Sequence, residues 1–187
     1  MINIKQFLIF SLISIALFGC QTNGDLIRPA FFTVTYSKGD ALLAANGSPI
    51  KINVLISDNN KNFETRVSEG MNKYGPKWLN ARYVPISQIE NQNPYQMKWA
   101  FNVTEDGHAP GLCRKKPTDL KQNTPSTGVV LAAFCLRGKT LSAVRARVTS
   151  LPDSEEFLQT IGNMGRELLV IQNPVRDSDC WVISDCG

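Results

Sequence analysis

Residues 95–104 alternate strictly between two sets of side chains, and no other stretch limits the fold as strongly. Tyr95, Met97, Trp99, Phe101 and Val103 form one set, and Gln96, Lys98, Ala100, Asn102 and Thr104 the other. A period of two belongs to an extended strand, whose successive side chains point to opposite faces. The segment therefore predicts a half-buried antiparallel strand with one apolar face. The aromatic residues read as core rather than as an exposed stripe for sugar or bases, because one apolar face is what a core demands.

Other segments add strands. Phe32, Val34 and Tyr36 alternate with threonines until Lys38-Gly39-Asp40 breaks the run. Residues 41–45 lead into Asn46-Gly47, a pair that tolerates the positive φ of a tight hairpin turn, and Ile50, Ile52, Val54 and Ile56 then alternate again. Residues 81–86 predict a strand that Pro85 confines to an edge or an end. Residues 129–136 and 141–148 predict a strand pair joined by Arg137-Gly138-Lys139. In its second strand Val144, Ala146 and Val148 face inward and Arg145 and Arg147 outward.

Two segments change period. Phe63, Val67, Met71 and Tyr74 fall on one helical stripe, with Asn62 as cap and Gly75-Pro76 as stop. Phe157, Ile161, Met164 and Leu168 form a second stripe, opened by a capping-box-like pair of Asp153 and Glu156 and ended by Asn173-Pro174. Gly70 costs the first helix about 1 kcal/mol relative to alanine, so that helix depends on packing. Gly162 and Gly165 leave room for close approach of the second helix to a sheet. Runs of strands with separate helices give an α+β class: one mixed or antiparallel sheet of five or six strands, with two amphipathic helices on one face.

The amino terminus carries a different signal. Lys5 precedes an apolar run from Phe7 to Leu17, too short for a membrane-spanning helix, which needs about 20 apolar residues. The run closes on Leu17-Phe18-Gly19-Cys20, which resembles the signal of bacterial lipoproteins, Leu-x-Gly-Cys. That resemblance implies cleavage before Cys20, a thioether-linked diacylglyceryl on its sulfur and an acylated new terminus. Two or three acyl chains anchor a protein stably where one holds it only marginally. Gln21 stands where many inner-membrane lipoproteins carry aspartate, so the same resemblance favours the inner leaflet of the outer membrane, facing the periplasm, over the inner membrane or the cell surface. Residues 1–19 are then a signal peptide, residues 20–30 the lipidated cysteine and tether, and residues 31–187 one domain.

Removal of residues 1–19 leaves 168 of the 187 residues, enough for a single core, and takes the formal charge from +4 to +3. That balance demands no nucleic acid, and a periplasmic address removes most of the reason to expect it. With Cys20 committed to lipid, Cys113, Cys135, Cys180 and Cys186 remain, an even set that reads as two disulfides in an oxidising compartment. Three pairings exist; Cys113–Cys135 and Cys180–Cys186 are favoured because each closes a local loop, and the second would staple the tail from Val175 onward to the body. No Cys-x-x-Cys spacing occurs and His108 is the only histidine, so no metal site and no cofactor are expected.

Residues 105–127 form a long polar loop, of the length that is usually functional or flexible. His108 beside Asp106 lacks a placed nucleophile and reads as solvated rather than catalytic. A Cys113–Cys135 bridge would bring Arg114, Lys115 and Lys116 near Arg137 and Lys139, a basic patch for an anionic partner such as lipopolysaccharide or a glycan. The plainer reading is a solvated face whose edge charges oppose aggregation. The order of elements is similar to that of small domains in accessory lipoproteins of cell-envelope machines, and the whole chain resembles small bacterial envelope lipoproteins. The expected role is therefore a non-enzymatic accessory or scaffolding subunit held at a membrane beside an envelope protein partner.

Overall fold

The alternating strand lies inside a mixed sheet, seen in a computed structural model that describes residues 24–56, 62–90, 93–104, 107–116, 119–121 and 128–176. In chain order the strands are β1 (Leu26–Ile27), β2 (Phe31–Phe32), β3 (Ile50–Ile56), β4 (Tyr83–Pro85), β5 (Tyr95–Phe101), β6 (Val129–Leu136) and β7 (Lys139–Arg147). The helices are α1 (Lys38–Ala45), α2 (Phe63–Tyr74) and α3 (Glu155–Leu168). Spatial order is β1-β7-β6-β5-β3-β4, with β2 also on the outer side of β7. Strands β5, β6 and β7 pair antiparallel, whereas β3 runs parallel to both β4 and β5. The fold is thus α+β around one mixed sheet, as the pattern of elements predicts. Pro85 ends an edge strand, and Asn72 of α2 covers part of that edge by bonding both the N–H and C=O of Tyr83.

The three helices lie against the core on one face. Phe63 and Phe157 meet Phe101 at ring distances of 4.7 and 6.0 Å, and Trp99 stacks beside Phe101 at 6.4 Å. The carbonyls at and just beyond the C-terminal end of α3, which no helical N–H can reach, are met by side chains. Ser142 donates to Leu168, Trp78 to Leu169 and Tyr36 to Val170.

The glycines of α2 and α3 serve the contact between the helices, not an approach to the sheet. A Cβ on Gly70 would sit 2.8 Å from the Leu158 carbonyl oxygen, one on Gly162 would strike Tyr74, and one on Gly165 the Met71 sulfur. Lys73 bridges the same pair of helices to Glu155 at 2.6 Å, and Tyr74 bonds that carboxylate as well.

Four further expectations change. The run at residues 32–36 stays extended only through Phe32, because a turn closed by the Tyr36 amide donating to the Thr33 carbonyl at 3.1 Å leads into a reciprocal capping box of Ser37 and Asp40 that starts α1. Asn46-Gly47 then joins α1 to β3 rather than closing a hairpin, with Gly47 at φ +70°. The cap of α3 is Ser154, one residue beyond Asp153, and its hydroxyl accepts from the Phe157 amide. Finally, residues 25–30 belong to the folded body rather than to a tether. Leu26–Ile27 pairs with β7, and the Asp25 carboxylate accepts from the amides of Thr149 and Ser150 and from the hydroxyls of Thr149, Ser150 and Thr160.

Burial raises the Asp25 pKa, but the hydrogen bonds from Thr160, Ser150 and Thr149 outweigh it, so the carboxyl titrates below its ordinary 3.8.

Candidate functional site

The face of the sheet opposite the helices is covered by irregular chain, and there the basic residues gather. Asn102, at φ +53°, breaks the alternation of β5. Val103 consequently leaves the helix-side core and joins Ala100 in a second cluster with Ala109, Leu112 and residues of β6. The strand is therefore buried on both faces toward its C-terminal end, not half-buried throughout. A 3₁₀ turn at Ala109–Arg114 lies over this cluster.

Three contacts fix the turn. Cys113 and Cys135 are bonded, with an S–S distance of 1.97 Å and a sequence separation of 22. Thr140 of β7 donates its hydroxyl to the Pro110 carbonyl at 2.6 Å. Lys98 reaches up from β5 and donates to the carbonyls of Cys113 and Lys115 at 3.0 and 3.2 Å. Desolvation holds the Lys98 pKa below its ordinary value. Sequence reading placed Lys98 on the polar side of β5 but missed this role; the signal was a lysine on the face the cysteines would also cover.

The β6–β7 turn consists of Arg137 and Gly138, both at positive φ, +48° and +80°. Two positive φ values match the strand twist at a two-residue hairpin. A Cβ on Gly138 would lie 4.0 Å from the Cys113 carbonyl oxygen, so the hairpin tip sits beside the turn. Arg114, Lys115, Lys116, Arg137 and Lys139 are all exposed. The disulfide thus sets Arg114, Lys115 and Lys116 beside the hairpin that carries Arg137, whereas Lys139 is opposite Leu136, whose side chain packs on the helix-side core, and so shares that face rather than the loop face. Asp119 also lies here, accepting from the Lys116 amide at 2.8 Å. Such a patch can attract an anion through charge and guanidinium hydrogen bonds.

His108 is exposed at the start of the turn, and Asp106 falls outside the described residues. Cys20, Cys180 and Cys186 lie outside them too, as does the tail beyond Arg176. Among the described residues no group of three His, Cys, Asp or Glu side chains could hold a metal ion, and no helix is long and apolar enough to cross a membrane.

No family model matches the sequence, and no curated protein matches it. Among solved structures, the chain is similar to the PelC dodecamer of Paraburkholderia phytofirmans, at 12% identity and a TM-score of 0.40. The match covers 78% of this chain and 99% of that one. A single-substitution variant of the same dodecamer matches at the same identity and TM-score over 79% of this chain. Likeness at this level carries no argument about function.

Proposed function

We propose that the protein is a lipid-anchored envelope lipoprotein that acts as a non-enzymatic accessory or scaffolding subunit of a cell-envelope complex. The observation that carries the reading is the short distance from Leu17-Phe18-Gly19-Cys20 to Asp25, where the chain is already clasped to the body. Five residues span at most about 18 Å. With Cys20 acylated, the domain sits against the bilayer and meets partners embedded in or lying on it. The address is the inner leaflet of the outer membrane, and a Cys180–Cys186 disulfide completes the pairing. Intact-mass measurement on protein from native membranes tests the anchor: a chain cleaved before Cys20 and carrying diacylglycerol is expected, and an unmodified Cys20 overturns it. Co-purification from detergent then tests the role, with specific envelope proteins expected and a clean monomer counting against it.

A second reading, a module for an anionic ligand such as lipopolysaccharide or a glycan, is supported by the disulfide that sets Arg114, Lys115 and Lys116 beside the hairpin carrying Arg137 and Lys139. Ligand binding that vanishes when the three loop cations are neutralised supports it; unchanged binding removes it.

A further inference from the structure

A separate basic cluster lies at the opposite edge of the loop face, on the strand that continues toward Cys20. Ile27 packs into the helix-side core, so its neighbours Leu26 and Arg28 point to the loop face. Leu26 is opposite Arg147, and the Arg28 amide donates to the Arg145 carbonyl at 2.9 Å. Arg145 and Arg147 in turn oppose Leu131 and Val129 of β6, both members of the loop-side cluster. Arg28, Arg145 and Arg147 therefore share one side of one strand pair. With Leu26 and Val129 they line a cleft of about 120 Å³.

Guanidinium groups match phosphate oxygens in pairs, which favours phosphate over a simple halide. Leu26, 62% exposed at the rim, adds an apolar side chain next to the charges. Cys20 precedes Leu26 by six residues, an extended reach of about 21 Å.

We propose that the cleft formed by Arg28, Arg145 and Arg147 seats the phosphate of an anionic lipid headgroup in the leaflet that holds the chain's own anchor. The proposal rests on lipidation of Cys20. It sets the orientation of the molecule: the loop face, with Arg114, Lys115 and Lys116, turns to the leaflet, and the helices turn away. Three basic side chains near an anionic leaflet are worth roughly a hundredfold in surface association.

The test uses the full lipidated chain in vesicles of phosphatidylcholine alone or mixed with phosphatidylglycerol. A photocrosslinking residue replaces Leu26 in one sample and Leu43, equally exposed on α1, in another. Lipid adducts are expected from Leu26 and not from Leu43, several-fold more abundant with phosphatidylglycerol. Neutralising the cluster by R28Q, R145Q and R147Q should return them to the phosphatidylcholine level. Screening the unsubstituted cluster with about 0.5 M salt should do the same without any risk to folding. Equal adducts from both positions, or adducts indifferent to lipid charge and salt, overturn the proposal while leaving the anchor standing. An unmodified Cys20 by mass removes anchor and proposal together. Inorganic phosphate that raises the melting temperature through the same arginines without vesicles assigns the cleft to a soluble anion and overturns the headgroup assignment.

Discussion

On the helix side of the sheet, α2 and α3 lay aromatic and branched side chains over Trp99 and Phe101, and glycines let the two helices close on one another. On the loop side, ten buried residues, mostly Ala, Val and Leu, lie under chain with no long regular element. Large side chains in a continuous core supply stability through burial, at about 25 cal/mol per Å² of apolar area. A cluster rich in alanine has less area to bury, so it cannot by itself hold a long polar loop against its conformational entropy. The disulfide and the Lys98 and Thr140 bonds make up the difference. One face is held by packing and the other by cross-links, and the cross-linked turn carries the run of exposed cations Arg114, Lys115 and Lys116.

Substitutions can break this contrast. The largest effect is expected from Phe157→Ala, which empties a fully packed helix-side position and should cost about 3–5 kcal/mol in urea unfolding. Replacing Cys113 and Cys135 together with alanine should cost about 3 kcal/mol for a loop of this length. It should also raise hydrogen exchange over residues 109–114 before the helices respond. A disulfide loss larger than the Phe157 loss, or exchange rising uniformly, would contradict the division of labour. Gly162→Ala forces a methyl against Tyr74 and should cost about 1–3 kcal/mol, read as a lowered melting temperature.

Smaller effects sharpen the picture. Asp25 titrates below 3.8 in the folded chain, so the stability it contributes is present above that value and is lost as pH falls through its folded-state pKa. Asp25→Asn should therefore lower stability at neutral pH and flatten the acid limb of a pH–stability curve. Neutralising Arg114, Lys115 and Lys116 to glutamine should change stability by less than about 0.5 kcal/mol, since all three are exposed. A larger loss would mean that the charges also support the loop.

The helix-side layer was legible because its chemistry is periodic. Phe63, Val67, Met71 and Tyr74 mark α2 with its observed ends, and Tyr95 to Phe101 mark β5. The errors arose where local hydrogen bonding overrode the pattern. Phe32, Val34 and Tyr36 alternate as a strand would, yet the Ser37–Asp40 box nucleates α1 a residue later, and aspartate in the place of glutamate hid that box. Val103 fits the apolar set of β5, but Asn102 adopts a positive φ that no alternation rule anticipates. The position of Arg114, Lys115 and Lys116 beside the β6–β7 hairpin followed from assigning one disulfide. The Arg28, Arg145 and Arg147 cluster did not, because it depends on a two-residue strand with almost no periodic signal pairing across 120 residues.

Asp25 also determines how the molecule carries a load. Tension applied to the chain before Asp25 would reach that residue before any strand, and its carboxylate would divide the pull between the segment leaving β7, through Thr149 and Ser150, and α3, through Thr160. The force thus enters sheet and helix in parallel instead of peeling β1 from β7 one residue at a time. A pull on the segment before Asp25 would thus be met by sheet and helix together.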